Sequence, residues 1–180
     1  MVEFFSTRPF PPGRLAGKTI AIFVADIFED AEILYPETRL EEEGGLVVGE
    51  HGAGHKYTGK IGATVKSDVQ IDDLGIVDSP VLPGGYAPDE MRRNAKMLAT
   101  ISSMIGKPVG SHLSRPVCSA RLDGRSVVSG YSCTSISSIQ DDIVNAGCLS
   151  LEPVVVVVVV VDRNVITSRK TPRPSATPSY

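Results

Sequence analysis

Lys107-Pro108-Val109-Gly110-Ser111-His112-Leu113-Ser114-Arg115-Pro116 is the stretch that decides how the rest of the chain is read. The lead-in through Val109 has the length of a short buried strand, and Pro116 opens a new segment, so the stretch reads as a tight strand-to-helix turn. In an α/β protein such an elbow lifts one side chain above the carboxyl ends of the strands. It sits under a helix N-terminus whose free N–H groups and dipole stabilise a thiolate or an oxyanion. The residue at the tip is Leu113, which has no nucleophilic atom. The architecture is that of an active site, and the tip does not supply its chemistry.

The segments upstream repeat one alternation. Thr19 to Ala25 is a nearly continuous apolar run of strand length, as expected of a central strand covered on both faces. Asp26, Glu29, Asp30 and Glu32 open a helix that carries Ile27, Ala31 and Leu34 at i, i+4, i+7 and runs to Glu43, disturbed at Pro36. Leu46 to Val48 reads as a second strand, Tyr57 to Asp73 as a β-hairpin excursion, and Val81–Leu82 as a third core strand. Pro88-Asp89-Glu90 starts a helix continued on one face by Met91, Ala95, Leu98 and Ile105.

Downstream of the elbow, Val117 to Leu122 fits a short helix and Arg125 to Ser129 a strand. Ser138, followed by Asp141 and Asp142, caps a helix that stops at Gly147. Val154 to Val161 is eight consecutive valines, read as a buried strand and an aggregation hazard, and far short of the ~20 apolar residues of a membrane span. Alternating strands and helices predict a parallel sheet with helices on both faces and ligand sites at the carboxyl ends of its strands. Ile20–Val24, Val81–Leu82 and Pro108–Gly110 are then adjacent core strands converging on Glu29, Gly84 and Leu113.

Composition bounds the partners. The 180 residues suit one domain, 18–170, with an extended Phe- and Pro-containing arm at 1–17 and a Pro-rich tail at 171–180. Hydrophobic residues are 42% and charged residues 22%, and a net charge of −3 leaves no basic footprint for nucleic acid. Cys118, Cys133 and Cys148 are odd in number and form no Cys-x-x-Cys pair, which points to a reducing cytoplasm rather than a disulfide framework.

A set of ordered segments then carries a family resemblance. It comprises Ile22-Phe-Val-Ala-Asp-Ile-Phe-Glu-Asp-Ala-Glu-Ile-Leu-Tyr-Pro, Leu40-Glu-Glu-Glu-Gly, Tyr57-Thr-Gly-Lys and Ile71-Asp-Asp. It continues through Leu82-Pro-Gly-Gly-Tyr-Ala-Pro-Asp, Arg93-Asn, Gly106-Lys-Pro-Val, Asp141-Asp-Ile-Val-Asn-Ala-Gly and Ile166-Thr-Ser-Arg-Lys. From about Lys18 to Lys170 the chain resembles the PfpI/ThiJ family of intracellular proteases, glyoxalases and deglycases.

The resemblance implies a flavodoxin-like three-layer α/β sandwich, class I glutamine amidotransferase-like, with a mostly parallel sheet. It also implies a cytoplasmic homo-oligomer acting on a small-molecule or peptide substrate without a cofactor, while the residues themselves predict no metal, no nucleic acid and no membrane. By position, Glu29 is the family glutamate, and Gly84 and Gly85 are the loop whose N–H groups help hold an oxyanion. The family's Cys-His-Gly-Pro becomes Leu113-Ser114-Arg115-Pro116, so Leu113 stands at the nucleophile position and Ser114 at that of the histidine. Cys118 is a poor substitute, since an elbow there leaves too few residues before Gly124 for a supporting helix. Two readings stay open: a PfpI-type cysteine hydrolase, and a catalytically silent relative that binds a ligand or partner through the same pocket.

Overall fold

The computed structural model describes Leu15 and residues 17–42, 46–48, 54–104, 106–112, 121–122, 125–126, 128–150 and 159–168. Leu113, Ser114 and Cys118, most of the arm and the whole tail lie outside them.

The elements in chain order are β1 (Thr19–Ile22), α1 (Asp30–Glu42), β2 (Leu46–Val48), β3 (Lys56–Thr58), β4 (Thr64–Lys66), β5 (Ser79–Leu82), α2 (Ala87–Met91) and α3 (Ala95–Ser103). They continue with β6 (Val109–His112), β7 (Arg121–Leu122), β8 (Arg125–Ser126), β9 (Ser132–Cys133), α4 (Gln140–Asn145), β10 (Leu149–Ser150), β11 (Val159–Asp162) and β12 (Val165–Ser168). Six strands form one sheet in the order β11-β12-β6-β5-β1-β2. Five of them are parallel, and only β11 runs against its neighbour β12.

The apolar run after Thr19 explains the centre of this sheet. Ile20 to Ala25 are all buried, as side chains on both faces of an interior strand must be. The chain steps from β1 outward to β2, returns to β5 on the other side of β1, and then moves on to β6 and β12. That reversal leaves a crevice outside the carboxyl ends of β1 and β5, where open α/β sheets bind ligands. β6 is parallel to β5 in the register Val81↔Gly110, so it ends at His112 on the same edge of the sheet.

Several expected elements differ. The helix expected from Pro88 onward is two helices. Asn94 takes an extended conformation between them, and its Oδ1 accepts the N–H groups of Lys96 and Met97 at 3.0 and 3.1 Å, capping α3 afresh. α3 therefore buries Met97 and Ile101 and leaves Ala95 exposed. In α1 the inward residues are Asp30 and Ile33, whereas Ile27 and Leu34 are 50% and 41% exposed. The helix starts only at Asp30, and that carboxylate is turned inward onto the β3–β4 hairpin, which sets the rotation of the whole helix.

Arg121–Leu122 does not end a helix but pairs antiparallel with Arg125–Ser126, and Ser129 lies in a turn beyond that strand. Ser138 sits inside a short 3-10 turn ahead of α4 rather than capping it, while Gly147, at φ +87°, ends that helix as expected. The described end of the valine run, β11, is an edge strand with Val160 inward and Val159 and Val161 half or more exposed, so it is not a buried strand. Cys133 and Cys148 form a disulfide, contrary to the reducing reading of the cysteine count. An odd total hid a pair that parallel pairing of β9 with β10 brings together.

Candidate functional site

The crevice is built from the loop after β1 (residues 23–29), the loop after β5 (residues 83–86) and the β3–β4 hairpin. The first loop is held by backbone bonds on both sides. Ile27 N–H donates to Thr58 O at 2.8 Å and Lys60 N–H to Phe28 O at 2.8 Å, while Tyr86 N–H donates to Ile27 O at 2.8 Å. Asp26 contributes a carboxylate oxygen that accepts Thr58 N–H at 2.8 Å. Phe28, fully buried, bridges to Gly59 on one side and Gly85 on the other.

This clamp forces Ile27 to φ +60°, a left-handed conformation that a β-branched residue rarely adopts. Strain of that kind persists where the surroundings over-determine it, and it concentrates at ligand sites. Gly85, at φ +80°, is the complementary piece. A Cβ there would stand 2.5 Å from Glu29 N and 2.6 Å from Ile27 O, so only glycine lets the two loops touch.

Two carboxylates at the start of α1 set the site's polarity. Glu32 Oε2 accepts the N–H of Gly84 at 2.6 Å. Glu29, with its side chain 28% exposed, instead faces Lys60 at 3.5 Å. The helix spacing explains the division, because Glu29 precedes α1 whereas Glu32, in its first turn, projects toward the β5 loop. The structure thus brings together Glu29, Gly84 and Gly85 at the end of the sheet to which β6 leads. It adds Glu32, which sequence reading passed over as a dipole partner. Gly84 N–H, expected to face an oxyanion, is engaged by Glu32.

Asp30 performs a different task. It is 3% exposed, and its two oxygens accept Ile61 N–H at 2.9 Å and Ala63 N–H at 2.7 Å. Gly59 lies so close that a Cβ would meet the carboxylate at 2.5 Å. The hairpin is therefore docked on the helix start, and β3 delivers Tyr57 and, just before it, His55, whose rings meet edge to face at 4.8 Å.

Beside this wall opens a cavity of about 540 Å³. Ala25 and Tyr57 lie at its base, with Ile27, His55 and Tyr86 around them and Asp26, Asp89, Glu90 and Arg93 among the charged lining. Its size suits a small ligand or a side chain. Among the described residues no group of His, Cys, Asp and Glu is arranged to hold a metal ion. No helix among them is long and apolar enough to cross a membrane.

The sequence profile of the DJ-1/PfpI family matches residues 18–176. A deglycase of Thermococcus kodakarensis is 39% identical over 154 residues, covering 83% of this chain and 89% of that protein. The deglycase PfpI of Pyrococcus furiosus is 37% identical over the same shares. The DJ-1/ThiJ/PfpI-like part of a two-domain protein from Anabaena variabilis superimposes with a TM-score of 0.75 at 31% identity, over 85% of this chain and 44% of that one. Drosophila melanogaster DJ-1beta, 22% identical, has the same fold at a TM-score of 0.69, over 85% of this chain and 82% of its own. With its flavodoxin-like, mostly parallel sheet, its two clamped loops and these relatives, the chain belongs to the DJ-1/PfpI family.

Proposed function

We propose that the crevice takes a small carbonyl compound or a peptide carbonyl, as befits a relative of deglycases, and that with leucine at position 113 it binds without a covalent thiol step. The observation that carries this reading is the pairing of an intact acidic wall, Glu32 on Gly84 N–H at 2.6 Å, with a tip residue that has no nucleophilic atom. A covalent route needs an activated nucleophile within reach of the carbonyl, and a hydrocarbon side chain provides none. Glu32, whose Oε2 accepts Gly84 N–H at 2.6 Å, joins Glu29 as a candidate carboxylate of this site.

A second reading, a working PfpI-type hydrolase of the protease, glyoxalase or deglycase kind, draws support from the 37–39% identity to named deglycases. Turnover of methylglyoxal and of a glycated peptide, before and after iodoacetamide, separates the two. Thiol-sensitive turnover by the unaltered chain overturns the silent reading. The variant Leu113→Cys with Ser114→His should gain alkylation-sensitive turnover if the remainder of the site is intact, and a folded double variant without turnover overturns the placement of the site.

The same reading includes self-association. Ile61 and Tyr35 are 81% and 69% exposed, and the hairpin tip carrying Ile61 docks on the helix that carries Tyr35. Sedimentation at micromolar concentration should show at least a dimer, and a clean monomer removes self-association from the proposal.

A further inference from the structure

The Cys133–Cys148 disulfide is not among the residues lining the cavity, yet hydrogen bonds link its surroundings to β6. Both cysteines are buried, at 0% and 4% exposure, and they join β9 to the start of β10. β9 does not enter the main sheet's ladder. It grips the β11–β12 hairpin instead. Ser132 N–H donates to Asp162 Oδ2 at 2.6 Å, and Thr134 N–H to Thr167 Oγ1 at 3.0 Å. Arg163 lies 3.8 Å over the Tyr131 ring and donates to Gly130 O at 2.6 Å.

From that hairpin a second set of bonds reaches β6. Tyr131 Oη donates to Asn164 Oδ1 at 3.2 Å. Asn164 in turn donates through Nδ2 to Lys107 O at 2.5 Å, and its carbonyl accepts Val109 N–H at 2.7 Å. β6 then runs beside β12 from Val109↔Val165 to His112↔Ser168 and leads into residue 113. Disulfide, Tyr131, Asn164 and the first residue of β6 form one bonded series.

We propose that Cys133–Cys148 is a redox site whose oxidation state sets the order of β6. This is independent of what the crevice binds. The co-reactant is a dithiol. One of its thiolates attacks a cysteine sulfur to give a mixed disulfide, and its second thiol displaces the remaining protein sulfur. The protein gains two thiols, and the dithiol, having given up two electrons and two protons, leaves as its own cyclic disulfide. Access comes by lifting β10, a two-residue strand with Leu149 63% exposed. Tyr131 O stands 2.9 Å from Cys148 Sγ, so the reduced thiol finds an acceptor in place. What reduction releases is the loop between residues 133 and 148, and with it the anchorage of Tyr131 on Asn164.

The test uses the full chain. Denatured without reductant, it should show one alkylatable thiol, and after dithiothreitol three; three before reduction overturns the proposal. Amide exchange followed by mass spectrometry should quicken at least tenfold in peptides covering 107–112 as well as 128–150 when native protein is reduced. The Cys133→Ser, Cys148→Ser double variant should match it without reductant, and should it not fold, the reduction experiment on the unaltered chain decides alone. Asn164→Ala, with the disulfide intact, should quicken 107–112 at least tenfold. If reduction speeds only 128–150 and leaves 107–112 within twofold, the coupling to β6 is refuted.

Discussion

Replacing Gly85 by alanine tests the geometry of the crevice at its tightest point. The residue sits at φ +80°, where an L side chain costs roughly 1–2 kcal/mol. The new Cβ would also fall 2.5 Å from Glu29 N, 2.6 Å from Ile27 O and 2.8 Å from Phe28 C, all backbone atoms that no rotamer change can move. Relief requires the two loops to part, which puts at risk the two bonds of the Phe28–Gly85 bridge, Tyr86 N–H to Ile27 O and Glu29 N–H to Gly84 O. At about 0.5–1.5 kcal/mol for each net hydrogen bond, the whole loss comes to roughly 2–5 kcal/mol. That is a large part of the ~5–15 kcal/mol that holds a domain folded. Gly62→Ala is the matched control, because Gly62 also has positive φ, at +101°, but nothing lies within 4 Å of its would-be Cβ. It should lose only the conformational share, about 1–2 kcal/mol. Urea denaturation with a shared m-value reads both. If Gly85→Ala and Gly62→Ala agree within about 0.5 kcal/mol, the contact between the two loops contributes nothing and the argument fails.

Asp30→Ala should cost about 3–6 kcal/mol in the same assay, from two charge-assisted bonds to Ile61 and Ala63 N–H at ~1.5–3 kcal/mol each. Asp30→Asn, which keeps one acceptor, should fall between, and a loss under about 0.5 kcal/mol for the alanine variant rules out the docking role. Acid should destabilise the fold through Asp162 and Asp78. The Ser132 N–H and then Arg163 hold the first carboxyl below its ordinary range, and the Thr19 N–H and then Lys18 do so for the second. A carboxyl depressed by folding stabilises above its unfolded value and loses that contribution as pH falls through the folded one, so the loss belongs below about pH 4. Asp162→Asn should flatten the stability profile between neutral pH and that region, and an unchanged profile contradicts the assignment. Glu32→Gln keeps an acceptor for Gly84 N–H and removes the charge. It should unfold at nearly the parent urea midpoint while weakening capture of methylglyoxal, whereas equal capture removes Glu32 from the site.

The sheet was legible because burial on both faces writes itself as uninterrupted apolar sequence, and Thr19 to Ala25 is such a run. The hairpin and the end of α4 at Gly147 followed from turn chemistry in the same way. Apolar spacing misled in α1, where i, i+4, i+7 selected Ala31 and Leu34. The helix is oriented by a buried acid, Asp30, and hydrophobic patterning assigns acids to solvent. The same blindness passed over Glu32. Asn94 was equally readable as a surface residue or as a cap, and only tertiary packing of Met97 and Ile101 chose the cap. The disulfide depends on a parallel pairing of two-residue strands that no local signal announces.

These misses share a cause, and it bears on function. The crevice is assembled by backbone bonds and, beside them, by side-chain acids consuming backbone donors: Asp26 takes Thr58 N–H, Asp30 takes Ile61 and Ala63 N–H, and Glu32 takes Gly84 N–H. Each of these anchors lies on the β1–α1 segment and reaches the hairpin or the β5 loop. None involves residue 113. A change at residue 113 therefore leaves these four bonds with both of their partners. The double replacement at 113 and 114 leaves all three of these acids and their acceptor roles unaltered in sequence.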